Sequence, residues 1–208
     1  NGGIDMPLVA AVALAEEIGK AGFPSPLLSI FNSTFILKEC DSPAAQQALT
    51  GFTTGKTMTL AITNQAGSWQ SEDTDVVVNS DGSVSGAAYF VQDARKCQQF
   101  LVSARGSAGV GLYLVDASAP GLDIIPDSIV DLTRDQAHLL FDHVTAVEVA
   151  SPGAGSQAIN KAMPAILCII SADMVGAGEW LLQTTVEYAK TRIQFDHPLG
   201  FFQAVKHP

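Results

Sequence analysis

The sequence predicts an α+β fold in which a helical segment, a β-barrel or sandwich, and the opening of a second helical domain follow one another along the chain. Three observations predict it. Apolar residues recur at helical spacing over residues 1 to about 52, the period falls to two from about Thr57, and it returns to helical after Ser151-Pro152-Gly153-Ala154-Gly155. Helices and strands are thus segregated, which argues against an alternating βαβ sheet. The expected boundaries are 1–55, 56–150 and 151–208. With 208 residues, 47% of them hydrophobic, the chain can bury a sizeable core.

Within the first block, Gly2-Gly3 reads as a loop. Leu8, Ala11, Val12, Ala15 and Ile18 then share one face of a helix, with Glu16, Glu17 and Lys20 opposite, and Gly22 with Pro24 ends it. A second helix is expected from Pro26 or Leu27 to about Lys38. A third opens at Asp41-Ser42-Pro43, where Ser42 can cap and Pro43 suits the first helical position, and runs to about Leu49. The middle block holds β-rich runs at 57–62, 76–78, 86–91, 99–104 and 110–115, with further strands at 139–141 and 124–125. The turn pairs Asp81-Gly82, Arg105-Gly106 and Pro120-Gly121 separate them. From about Gln157 the pattern is helical again. Met163, Ile166, Leu167, Ile170, Met174, Val175 and Leu181 cover most of its circumference, so this helix should be buried in a bundle or at a subunit interface.

A net charge of -10 and the lack of any basic cluster make nucleic acid and anionic membrane surfaces poor partners. Cys40, Cys97 and Cys168 are odd in number and in no C-x-x-C spacing, which fits reduced, buried thiols and a cytoplasmic location. No secretory leader pattern is present. Asp173, Gly176, Gly178 and Glu179 interrupt the apolar run from Ala162 to Leu182, which favours a bundle helix over a membrane span.

The segment Tyr188 to His207, Y-A-K-T-R-I-Q-F-D-H-P-L-G-F-F-Q-A-V-K-H, runs off a helix and crosses a turn expected at residues 196–200, where Pro198 lacks an amide proton and Gly200 tolerates positive φ. It then resumes a helical pattern. Arg192 and Gln203 flank the corner. A planar guanidinium and an amide placed this way can bind phosphate or a heteroaromatic ring; alternatively, they are the solvated basic and polar residues common at a helix C-terminus.

This segment resembles the hallmark stretch of the acyl-CoA dehydrogenases, Y-A-x-x-R-x-Q-F-G-x-P-I-G-x-F-Q-A-V-K-H, with Asp196 standing where that family usually has Gly. The resemblance extends upstream. Residues G-G-I-D-M-P and S-P-A-A-Q-Q-A-L-T-G-F-T-T-G-K are similar to the second half of the family's N-terminal helical domain. Ile62 to Ser68 is similar to its T-E-P-x-A-G-S loop, with Asn64 and Gln65 in place of Glu and Pro. Tyr89 to Ala94 is similar to its aromatic-x-Thr strand, with Gln92 in place of Thr. The resemblance implies the start of a C-terminal four-helix bundle and a partial chain. It also implies FAD as cofactor, held by Thr63, Ser68, Phe90, Val91, Gln92, Arg192, Phe195 and Gln203, the corner residues serving mainly a neighbouring subunit. The implied reaction is α,β-dehydrogenation of an acyl-CoA thioester to the trans-2-enoyl-CoA, in a homo- or hetero-oligomer that passes electrons to an acceptor protein. The family's base is a Glu beyond the hallmark motif or, in one branch, a Glu-Arg pair at the places held here by Ile166 and Leu167, so no catalytic base is identified in this chain. A degenerate subunit that scaffolds a catalytic partner and completes its FAD site is the other reading.

Other chemistries find little support. His138 and His143 lie five apart around a short strand, on opposite faces by parity, so no metal site is expected. No G-x-S-x-G elbow accompanies a His and an Asp, and Gly153-Ala154-Gly155 lacks the surroundings of a dinucleotide loop.

Overall fold

A computed structural model of the protein describes residues 7–207, so the expected loop at Gly2-Gly3 and the G-G-I-D-M portion of the N-terminal motif lie outside the described residues. Three helices come first. α1 (Leu8–Ala21) ends at Gly22, whose φ of 55° is the left-handed stop that a residue without a β-carbon adopts at low cost. α2 spans Leu27–Lys38. α3 (Pro43–Thr53) is capped by Ser42, whose Oγ accepts from the Ala45 amide at 3.2 Å, and runs one turn beyond the expected end.

Eight strands follow: β1 (Met58–Ala61), β2 (Asp75–Val78), β3 (Val84–Gln92), β4 (Gln99–Gly106), β5 (Gly109–Asp116), β6 (Leu122–Pro126), β7 (Gln136–Val144) and β8 (Val147–Ala150). They form one mixed sheet in the order β6-β7-β3-β2-β4-β5-β8, with β1 on β4. Since β5 pairs along the whole of β4, β1 and β2 must share its other edge. β1 runs parallel from Met58 opposite Gln99 to Ala61 opposite Val102, and β2 joins only where Val77 meets Arg105. That hand-over splits the sheet into two leaves.

The leaves enclose one core and the helices cover a second. Phe100, Val102 and Ala104 of β4 and Tyr113 and Val115 of β5 point between the leaves, with Val76, Val91, Leu139 and Phe141. Their alternates Leu101 and Leu112 point the other way, into a layer made by Ile36, Leu37 and Leu49 and by Ile159 and Ile166 of the last long helix. β4 and β5 are therefore buried on both faces, which is why they read as continuous apolar runs. Burial also pushes the Cys97 thiol up to about 12 and the Cys40 thiol up to about 11. Cys168 is exposed, contrary to the expectation for a core thiol.

α4 (Ala154–Thr191) starts three residues earlier than the sequence indicated, because Ala154, Gly155 and Ser156 belong to the helix, which leaves Ser151, Pro152 and Gly153, the last with φ of 91°, outside it. A β-carbon on Gly155 would come within 2.6 Å of the Gly111 carbonyl carbon, so this glycine serves close helix-to-strand packing. At 38 residues α4 is about 57 Å long. By length and composition it is the one helix among the described residues able to cross a membrane. Its first half is nevertheless packed inward through Ala158, Ile159, Ala162, Ile166 and Ile169. Arg134, from the β6–β7 connection, donates to both Asp173 oxygens at 2.6 and 2.7 Å, and Lys20 pairs with Glu179 at 3.1 Å. Beyond Asp173 the helix leaves Met174, Trp180, Leu181 and Leu182 exposed on this chain, so the burial expected in a bundle or at a subunit interface is not supplied by the chain's own described residues.

The chain then makes a two-strand hairpin, β9 (Ile193–Gln194) with β10 (His197–Pro198), a 3-10 turn at Leu199–Phe201, and a short α5 (Gln203–Lys206).

Candidate functional site

Two places gather the residues singled out in the sequence. The first is the edge where β1 runs out beside β3. Thr63 is buried just past β1, and its carbonyl accepts from the Tyr89 amide at 2.9 Å. The loop then turns at Asn64–Gly67, closed by the Gly67 amide donating to the Asn64 carbonyl at 3.0 Å, with Gly67 at φ of 76°. Asn64 Oδ1 accepts from the Ser68 amide at 2.9 Å, and Ser68 Oγ donates to Asp73 Oδ2 at 2.7 Å. Ser68 thus has its hydroxyl proton engaged and presents a lone pair, which the Gln70 amide approaches at 3.2 Å.

β3 reaches this loop through a bulge. Ala88 is opposite Leu139 and Val91 opposite Ala137, so Tyr89 and Phe90 together face His138 alone. The extra residue is accommodated by Phe90 at φ of 55°, in the left-handed region that a bulky side chain seldom enters, and its ring is left 46% exposed. A β-carbon on Gly67 would stand 3.8 Å from Phe90 Cε2, so ring and loop form one continuous surface. Val91, by contrast, is 1% exposed with its side chain in the inter-leaf core, leaving only its backbone for any ligand, and Gln92 is exposed beyond it. Asp93, also left-handed at φ of 53°, anchors the strand end by accepting from Ser29 Oγ of α2 at 2.9 Å and from Lys96 Nζ at 3.1 Å.

The second place is the corner after α4. Its turn lies at Phe195-Asp196, one step before the expected 196–200. Both residues are left-handed, φ of 52° and 61°, between the paired Gln194 and His197. Two such residues in a two-residue loop are the primed turn that matches strand twist, and Asp tolerates this conformation better than most side chains. The Leu199 amide donates to the Arg192 carbonyl at 2.9 Å, and His197 stacks on Phe201 with centroids 4.1 Å apart. Arg192 and Gln203 are exposed, and Phe195 is 84% exposed. Among the described residues the corner's hydrogen bonds and ring contacts run to its own members and to the end of α4, so the structure keeps Arg192, Phe195 and Gln203 apart from Thr63, Ser68, Phe90 and Gln92 within one chain.

The brace behind the bulge escaped the sequence reading, which took Tyr89 only as part of the aromatic strand, weighed His138 only as a metal ligand and passed over Asp127. His138 stacks on Tyr89 (centroids 5.9 Å, 19° between planes), and its Nδ1 donates to Asp127 Oδ1 at 3.0 Å. Only strand pairing brings them to Phe90, and a bulge leaves no mark in apolar periodicity. Among the described residues no group of three or more His, Cys, Asp or Glu side chains could hold a metal ion.

A helical layer on a two-leaved mixed sheet is a fold shared with solved dehydrogenases, one of them described as FAD-dependent. The chain is 31% identical over 206 residues to the acyl-CoA dehydrogenase IpdE2 of Mycobacterium tuberculosis, covering 99% of this chain and 52% of that protein. A solved variant of the Tcur3481-Tcur3483 steroid ACAD superposes with a TM-score of 0.84 at 29% identity, covering 99% of this chain and 56% of that one. The ChsE4-ChsE5 complex from Mycobacterium tuberculosis does so with a TM-score of 0.82 at 25% identity, covering 99% and 56%. No family model matches the chain. The likeness runs through sequence and fold alike, and over its whole length the chain is similar to acyl-CoA dehydrogenases. It spans about half the length of the curated relatives it matches.

Proposed function

We propose that the protein carries out FAD-dependent α,β-dehydrogenation of an acyl-CoA thioester, and that this chain contributes the two surfaces that hold the flavin. One observation carries the reading: the β3 bulge turns the Phe90 ring outward against the Asn64–Ser68 loop, at a backbone conformation that needs a reason to persist. The residues present fit a flavin. An exposed ring offers a stacking face, the small Ala66-Gly67-Ser68 stretch lets a planar group approach the backbone, and the exposed Gln92 amide can donate to a ring nitrogen. Arg192 and Gln203, exposed on a different part of the chain, suit the phosphates and ring edge of a cofactor in a neighbouring subunit, so an oligomer is part of the proposal. FAD, when bound, accepts the hydride that leaves the substrate β-carbon.

A carboxylate must take the α-proton. Ile166 is fully buried and Leu167 is apolar, so the positions of the family's Glu-Arg pair hold neither base nor cation. That favours the second reading, in which this chain completes the FAD site of a catalytic partner. The absorbance spectrum of the purified full-length protein separates the two. Stoichiometric flavin bleached by an acyl-CoA supports the dehydrogenase; a colourless protein that turns yellow only with a partner supports the scaffold. Flavin retention unaltered by both Phe90→Ala and Arg192→Ala counts against each.

A further inference from the structure

We propose that His138 is a positioning residue for the Phe90 surface, an inference that rests on the FAD reading of that surface. In the bulge, two residues of β3 meet His138 alone on β7, so from the β7 side the pair is held by His138 and its neighbours. Its ring lies on Tyr89, with centroids 5.9 Å apart and 19° between planes, and Tyr89 in turn lies 6.3 Å from Phe90 at 47°. The ring cannot rotate freely, because Nδ1 donates to Asp127 Oδ1 at 3.0 Å. Asp127 is itself fixed twice by Gln136: its Oδ2 accepts from Gln136 Nε2 at 3.0 Å and its amide donates to the Gln136 carbonyl at 2.9 Å. On its other side Tyr89 is tied to the flavin-side loop by its backbone amide, which donates a hydrogen bond to the Thr63 carbonyl.

A chain of directed contacts therefore leads from the rigid β6–β7 pair through Asp127, His138 and Tyr89 to a residue held in a conformation that its own side chain disfavours. The imidazole makes two contacts: its flat face packs on Tyr89, and its Nδ1 holds Asp127 and so helps to set the angle of that face. Of the two, the face carries the contact that reaches Phe90.

The test is a double-mutant cycle on FAD affinity of the full-length protein, titrated by flavin fluorescence, with the thermal midpoint of each variant as a folding control. His138→Ala should weaken FAD binding about threefold to tenfold, the size expected of one lost aromatic pair, and should add nothing once Phe90 is already alanine. His138→Phe keeps the face and should stay near wild type; His138→Gln keeps a donor for Asp127, loses the face, and should fall with the alanine variant. If His138→Ala does not fold, the Phe and Gln pair makes the same comparison. An equal loss in both Phe90 backgrounds, no loss at all, or a Gln variant that outperforms Phe overturns the proposal while leaving the Phe90 surface intact. An unchanged affinity in Phe90→Ala alone removes that surface, and this inference with it.

Discussion

Gly67 rests against Phe90: a β-carbon at 67 would lie 3.8 Å from Phe90 Cε2, ordinary van der Waals distance. The glycine is therefore required by its φ of 76° and not by space. Gly67→Ala should lower stability by about 1 kcal/mol, the cost of holding a β-carbon at positive φ, without displacing the ring. Urea unfolding measures it. A loss several times larger would mean that the loop has no room after all.

Three glycines of the α1–α4 pair should respond in opposite directions. A β-carbon on Gly19 would fall 2.0 Å from the Asp173 carbonyl oxygen, and one on Gly176 would fall 1.9 Å from that of Glu16, both backbone atoms that cannot rotate away. Gly178 has nothing within 4 Å. Gly19→Ala and Gly176→Ala should each destabilise by about 1 to 3 kcal/mol through overpacking, despite the better helix propensity of alanine. Gly178→Ala should stabilise by about 1 kcal/mol on propensity alone. Thermal melts of the three single variants decide whether the helices truly cross on their backbones.

The helices were legible because their ends carry chemistry that acts locally. Ser42 caps, Pro43 starts and Gly22 stops a helix whatever lies around it. β4 and β5 were legible because burial on both faces leaves an unbroken apolar run. β8 was missed: Val147-Glu148-Val149-Ala150 is too short to show alternation, and its pairing with β5 is a long-range event. The corner turn was misplaced because Pro198 and Gly200 are the usual punctuation, whereas the residues that bend are Phe195 and Asp196. At the candidate site, the loop and strand were readable as strings. Their meeting through the Tyr89 amide and Thr63 carbonyl, and the brace at His138, follow from register and could not be read.

Asp81, Asp116 and Asp131 make one device three times over. In each, the hydroxyl and then the amide two residues on, from Ser83, Ser118 and Thr133, donate to the same carboxylate oxygen and hold its pKa below the ordinary 3.8. A lowered folded pKa means that these turns are stabilised above pH 3.8 and lose that support as pH falls through the folded values. His143 runs the other way: its bond to Asp142 raises it above 6.5, so its contribution is complete below 6.5 and fades as pH rises through the raised value. All four groups are surface groups, so the effect on global stability is small and carboxyl and imidazole NMR titrations are the fitting measurement. Ser83→Ala should move the Asp81 titration up toward the ordinary range and leave Asp116 unchanged.

Asp196 combines two effects that substitution can separate. At φ of 61° it occupies a position where glycine is the easier residue, so Asp196→Gly should stabilise the hairpin by about 0.5 to 1 kcal/mol. It is also a carboxylate four residues from Arg192, and under the proposed function both face the phosphates of a neighbour's flavin, where an anion repels. Asp196→Asn keeps most of the left-handed tolerance and removes the charge, so it should leave the melting temperature nearly unchanged yet tighten FAD. Asp196→Gly should do both. If the asparagine variant binds flavin no better than wild type while the glycine variant does, the corner acts through its backbone shape, and Arg192 meets the cofactor without interference from its neighbour's charge.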